Sequence, residues 1–577
     1  MDEWRLEPLF RNNTELESFV KTLAKESKSF EKKYSNNLSD INDFESVLIE
    51  YEAICDGLAR IMAYVFLLFA KDTNNGAFYA KYELLANDIQ NHIIFFELDF
   101  TKLPKDMIAK YIKSSKKYKY YLKRLEESKI YQLNKDEEKI LLKVAPVGVD
   151  AFSRLFDEYM SRMKFKFNDE VLSEEEILSK LHSKDRSERK KAQKKLTKKL
   201  DKSSHILKYI INIVRKDLQI SNNLRGYKRA ESFRHINNQI SQKSVDGMID
   251  IVVKNFHLVH KYYKIKGEIL GIKKLKDYDR YAPLDFKESE FSYTEAKELT
   301  ISAYSDFSPK FGNIVKNAFK NGWVDSHPKA NKRGGAFSHG AVPKAHPYVL
   351  LNYTNGRRDV FTIAHEFGHA IHQELSKSVG YLNMDTPLTT AETASVFGEM
   401  LLFDKMKQEV SKMNSKEELL GLYAGKIEDI FSTLFRQIVM TNFERKIHSI
   451  SDELEVNDLN RIWLEENQKM FGSSLELTKN YEIWWSYIPH FIHSPFYCYA
   501  YSYGQLLSLT LFGLYKSGSE GFVEKYSEFL SLGGSKSPKD LVSIFGFDIE
   551  DDKFWEFGIA EVKKLLDEFI KIYKKEV

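Results

Sequence analysis

Asp359-Val360-Phe361-Thr362-Ile363-Ala364-His365-Glu366-Phe367-Gly368-His369-Ala370-Ile371-His372 begins just after the turn signal Asn355-Gly356. Ile363, Phe367 and Ile371 recur every fourth residue, as one buried stripe of a helix does. Asp359 is placed to cap the start of that helix. His365 and His369 are also four apart, so both imidazoles project from one face. Two nitrogens so placed can reach one tetrahedral cation. Glu366 is next to the first of them but offset round the helix. It can face a water at the metal without taking a coordination position. Gly368 has no side chain, so another element can come close.

A catalytic zinc site needs three protein ligands and one open position. A metzincin would carry Gly at 372 and His at 375, where this chain has His372 and Leu375. Thermolysin-like and aminopeptidase-like spacings would put a glutamate near 388 or 389, where Leu388 and Thr389 stand. The next carboxylate on a helical stretch is Glu392, in Thr389-Thr390-Ala391-Glu392-Thr393-Ala394-Ser395-Val396-Phe397-Gly398-Glu399. Glu392 is therefore expected as the third ligand. Glu399 lies two turns further along the same face and is expected to accept a hydrogen bond from a ligand imidazole. His339, His346 and His372 are read as structural or cleft-lining histidines.

Outward from this helix the chain reads as mainly α. Glycine (27) and proline (12) are sparse in 577 residues, and Leu, Lys and Glu abound. Leu48, Ala53, Leu58 and Ile61 to Phe69 form one long core helix in this reading; Ile249 to Ile265 and Leu419 to Ile438 look similar. Ala145-Pro146-Val147-Gly148 is a turn between helices. The clearest strand is Pro347-Tyr348-Val349-Leu350-Leu351-Asn352-Tyr353, after Gly334-Gly335-Ala336-Phe337, and it predicts a small antiparallel sheet next to the His365 helix. Substrate is expected to lie along 348–353 by adding itself to the sheet edge. Three regions are expected: 1–114, a helical N-terminal part; 115–185; and 186–577, which holds the metal motif.

Bulk composition excludes several classes. The formal net charge is +4 on 87 basic and 83 acidic side chains, so nothing calls for nucleic acid or an anionic surface. Lys184 to Lys202 is lysine-rich but interleaved with acids, as a solvated helix face is. The longest apolar run, Ile61 to Ala70, is short of the roughly 20 residues that span a bilayer, so a buried helix and no membrane are expected. The start, Met1-Asp2-Glu3-Trp4, lacks the basic and apolar run of a signal peptide. Cys55 and Cys498 are the two cysteines, which suits a reducing cytoplasm. Nothing in the sequence specifies an oligomeric state.

The string His365-Glu366-Phe367-Gly368-His369, followed by Glu392-Thr393-Ala394-Ser395, resembles the oligoendopeptidase F family of zinc metallopeptidases, related to thimet oligopeptidase. The resemblance extends over Ser153-Arg154-Leu155-Phe156-Asp157-Glu158, Ile488-Pro489-His490-Phe491, Pro495-Phe496-Tyr497-Cys498-Tyr499-Ala500-Tyr501 and Gly533-Gly534-Ser535-Lys536-Ser537-Pro538. It implies a large helical zincin-type fold enclosing a deep channel that excludes folded proteins, and it gives residues 115–185 the character of the family's N-terminal module. It implies one Zn²⁺ ion, oligopeptide substrates and cleavage of internal peptide bonds with Glu366 as general base; an exopeptidase on the same zinc is the alternative. It also implies a hydrogen-bond donor to the reacting carbonyl, from His490 or His493 with Tyr499 or Tyr501.

Overall fold

The leucine-, lysine- and glutamate-rich stretches fold as helices. The computed structural model describes residues 2–284, 286, 289–413 and 415–574 and is 73% helical, about twice the usual share for globular proteins. The chain forms two compact units, each built from three stretches. Unit 1 comprises Met1–Ile130, Glu288–Met413 and Leu514–Asp548; unit 2 comprises Tyr131–Lys287, Asn414–Gly513 and Ile549–Val577.

In unit 1, helix α1 (Phe44–Lys71) is the expected core helix. Asp43 caps it by accepting from the Ser46 amide, and Leu48, Ile54, Ile61 and Val65 are buried. By length and composition it is the one described helix apolar enough to cross a membrane, but half of its most apolar window is buried inside the structure. Its buried face packs into a core with Phe30, Phe96 and Tyr118.

Three short strands follow: β1 (Val324–Asp325), β2 (Phe337–His339) and β3 (Tyr348–Leu350). Their order is β1-β3-β2, with β3 parallel to β1 and antiparallel to β2. The sheet is thus mixed rather than wholly antiparallel. Strand β3 lies in the middle with its residues fully buried. It therefore cannot receive a peptide at an open edge, as the sequence suggested; the outer strands are β1 and β2. A lone apolar strand shows that it is buried but not on which side its partners lie.

One buried ion pair ties the end of this sheet. Lys332 and Asp325 both have fully buried side chains and meet at 2.6 Å. The Lys332 ammonium also donates to the carbonyls of His327 at 2.8 Å and Leu351 at 2.6 Å. Burial lowers the lysine's pKa, and Asp325 opposes that by favouring the charged form.

Unit 2 is built around a 40-residue helix, Arg186–Arg225, capped by Asp185 and closed by Gly226 in the left-handed region at φ 74°. Its lysines face solvent, while Arg189 turns inward to Asp279 at 2.9 Å. The stretch 249–265 is two helices, Gln242–Lys254 and His257–Ile269, rather than one. They part at Asn255, whose side chain donates back to the Ile251 carbonyl. The stretch 419–438 runs through Lys416–Ile430, a π-helical turn at Phe431–Phe435, and Arg436–Ser449.

Removing Lys332 leaves the buried Asp325 carboxylate with the more distant Lys329, at 3.6 Å, as its counter-charge. Lys332→Met is expected to cost about 3–5 kcal/mol. The double variant Lys332→Met/Asp325→Leu should recover most of that loss. Denaturant midpoints read by circular dichroism check both expectations.

Candidate metal centre

Helix α2 (Arg357–Ser376) carries the histidine pair, and α3 (Thr393–Lys412) follows the short helix Leu388–Ala391. Asn355, at φ 72°, makes the tight turn that aims the chain into α2. Gly356 is the N-cap residue, and Asp359 sits in the first turn instead of before it. Its carboxylate reaches back to the amides of Thr354 at 2.7 Å and Gly356 at 3.2 Å. The cap is therefore delivered from inside the helix.

Helices α2 and α3 touch backbone to backbone. A Cβ added at Gly368 would fall 2.3 Å from the Ala394 carbonyl oxygen and 2.4 Å from Ser395 Cα. One added at Gly398 would fall 1.8 Å from the Tyr304 hydroxyl and 3.0 Å from the Ala364 carbonyl oxygen. Tyr304 donates to that same carbonyl at 2.6 Å. Each helix thus contributes one glycine to the crossing. The sequence pointed to Gly368 but not to Gly398 or Tyr304; a glycine inside an apolar helical run was the available signal.

At this crossing His365 Nε2, His369 Nε2 and Glu392 Oε2 converge. The two nitrogens are 3.2 Å apart, and each is 3.3 Å from the carboxylate oxygen. Ligands about 2.0–2.1 Å from a tetrahedral ion are separated by about 3.3–3.4 Å, so these three atoms fit one small divalent cation. Among the described residues this is the one group of three or more His, Cys, Asp or Glu donors that could hold a metal.

Surrounding groups orient the donors. Glu399 Oε1 lies 2.6 Å from His365 Nδ1, which fixes the ring and directs Nε2 inward. Ser395 donates its hydroxyl to Glu392 Oε2 at 2.9 Å. Burial alone would raise the Glu392 pKa, but its bonds to both imidazoles bring it below the ordinary carboxylate range. Glu366, only 6% exposed, is pushed the other way by burial. Three carboxylates beside two imidazoles make a site whose charge favours a cation.

His339, His346 and His372, read from the sequence as structural or cleft-lining, take other roles. His339 Nδ1 accepts from the Ala341 amide at 2.9 Å, and His346 stacks on Trp323 at 4.9 Å. His372 is buried, which lowers its pKa to about 3.

Unit 2 sorts the histidine–tyrosine cluster. His490 Nε2 and the Tyr501 hydroxyl lie 3.4 Å apart. His493 instead meets Asp157 at 2.8 Å on the surface. Tyr499 is fully buried; its hydroxyl accepts from Asn238 at 2.8 Å and lies 2.8 Å from His235 Nδ1. Tyr503 is likewise buried, against Ser244 at 2.8 Å. His235 and Asn238 carry no motif, so no local pattern marks them.

Two substitutions probe the centre. Alanine is normally favoured over glycine within a helix by about 1 kcal/mol. Gly368→Ala is nevertheless expected to destabilise by at least about 1–3 kcal/mol, because backbone atoms block the methyl group. Glu399→Ala should weaken binding of a divalent metal ion about 10–100-fold, read by competition with a chromogenic chelator.

The profile of peptidase family M3 matches residues 179–561, and that of oligopeptidase F matches residues 99–165. An oligoendopeptidase F homolog of Borreliella burgdorferi is 28% identical over 99% of this chain and 98% of its own length. Oligopeptidase PepF of Bacillus subtilis is 25% identical over 100% of this chain and 88% of its own. A Chlamydophila abortus crystal structure, provisionally described as a peptidase, superposes with a TM-score of 0.88 at 26% identity, covering 99% of this chain and 98% of that one. With a profile spanning well over half of its length, the chain belongs to peptidase family M3, and it is a metallo-oligopeptidase of the oligoendopeptidase F type.

Proposed function

We propose that the chain is a zinc-dependent endopeptidase of short oligopeptides, with His365, His369 and Glu392 as ligands and Glu366 as general base. The observation that carries this reading is the convergence of three donor atoms within 3.3 Å of one another, beside a buried carboxylate on the same helix. Two imidazoles and one carboxylate most often mean zinc.

When bound, zinc supplies a Lewis acid that makes hydroxide available near neutral pH. The chain's own groups do the rest. Glu366 takes the proton of the attacking water and delivers it to the leaving amine. Glu399 holds His365 in the tautomer that offers Nε2 inward, and Ser395 fixes the carboxylate of Glu392. His490 with Tyr501 takes the role of donor to the carbonyl oxygen as it becomes negative, on the family resemblance; the engagements of Tyr499 and His493 favour that choice. A reducing cytoplasm suits Cys55 and Cys498, both free thiols, and cell fractionation tests it.

Digestion of a defined peptide mixture, followed by mass spectrometry, tests the reading. Internal cuts that a chelator stops and added zinc restores are expected. Stepwise loss from one end would replace the endopeptidase with an exopeptidase on the same site. Glu366→Gln should keep its zinc and lose about 10²–10⁴-fold in turnover. Full activity in that variant would remove Glu366 from the mechanism.

A further inference from the structure

Unit 2 holds two guanidinium groups, Arg280 buried and Arg436 half-buried, with no carboxylate for either among the described residues. Arg280 is 7% exposed. It donates to the Tyr481 hydroxyl at 3.0 Å and to the Tyr281 hydroxyl, while its Nε is buried without a partner. The Nε of Arg436 is also buried without a partner. Both side chains line a cavity of about 60 Å³, whose wall includes Tyr263, Tyr281, Phe431 and Ser432. Glu428 is the one carboxylate in that wall. It is held by Lys266 at 2.6 Å and Tyr262 at 2.5 Å.

The charge balance of this pocket is therefore positive. Isolated buried charges are costly unless a counter-charge meets them. The rings of Tyr281 and Tyr481, 4.3 and 5.4 Å from the Arg280 guanidinium carbon, stabilise the cation in part but add no negative charge. The local backbone is also special. The π-helical turn Phe431–Phe435 runs directly into Arg436, and such turns often occur at functional sites. It brings Phe431, Ser432 and Arg436 onto the same wall. One water needs about 10–15 Å³, so the cavity has room for a small ion and a few waters but not for a peptide segment.

We propose that this cavity is a binding site for a small monovalent anion, a halide or a single carboxylate group, held between Arg280 and Arg436. The unpartnered Nε–H groups supply the donors, and the two guanidiniums supply the charge. The ion would bind the folded unit and stabilise it by mass action.

The internal rival is Tyr281. Burial raises its pKa, but the two arginines outweigh that and lower it, so a tyrosinate could serve as counter-ion.

Thermal unfolding of the full chain, at constant ionic strength with gluconate exchanged for chloride or acetate, provides the first test. The expected result is a saturable rise in melting temperature with chloride and with acetate, absent in Arg436→Gln. Crystals of the unaltered protein soaked in bromide provide a second test that needs no variant to fold. An anomalous peak between Arg280 and Arg436 is expected. Displacement of that bromide by acetate, but not by acetamide, would identify a carboxylate as the occupant. Retention of bromide against both would identify an inorganic anion. An empty cavity under bromide would overturn the proposal. So would a tyrosinate absorbance at neutral pH that Tyr281→Phe removes.

Discussion

The close crossing of α2 and α3 is the constraint on which the candidate centre depends. Glu392 is 23 residues from His369 in sequence, and no local rule brings it to the histidine face. Two glycines allow the helices to meet with backbone in contact. At an ordinary interhelical distance of about 8–10 Å, a glutamate side chain would have to extend to reach the pair. Here its carboxylate oxygen is already at coordinating separation from both imidazoles. The hydroxyl of Tyr304 closes the same crossing from a third helix. Packing and chemistry are therefore one problem here, solved by the absence of side chains at two positions.

Orientation is supplied by groups outside the three donors. The bond between Glu399 and His365 settles which ring nitrogen faces inward. Without it the ring could carry its proton on Nε2, which would then have no lone pair to offer. The Ser395 hydroxyl performs a similar service for the carboxylate. These partners lie on α3, so the helix that delivers the third donor also steers the first.

What could be read in the sequence was what repeats locally. Helical spacing alone put His365 and His369 on one face, and elimination of other spacings led to Glu392. The long core helix at 44–71 was visible for the same reason. Non-local pairing was not visible. The strand 348–350 announced its burial, but its central place depends on residues 324 and 325, more than twenty positions upstream. The break at Asn255 was hidden because its flanks keep apolar periodicity. The choice between Tyr499 and Tyr501 was also out of reach, since it depends on helix rotation. His235 and Asn238, residues with no motif around them, engage the Tyr499 hydroxyl. The paired arginines in unit 2 were equally invisible, being 156 positions apart.

Each unit is stitched from three segments, and the last of these comes from the end of the chain: Leu514–Asp548 for one, Ile549–Val577 for the other. During synthesis neither core can be completed until its third segment has left the ribosome. Domains made of one continuous segment can fold in turn as they emerge. Here each unit instead keeps an unfinished hydrophobic interior until its third segment arrives.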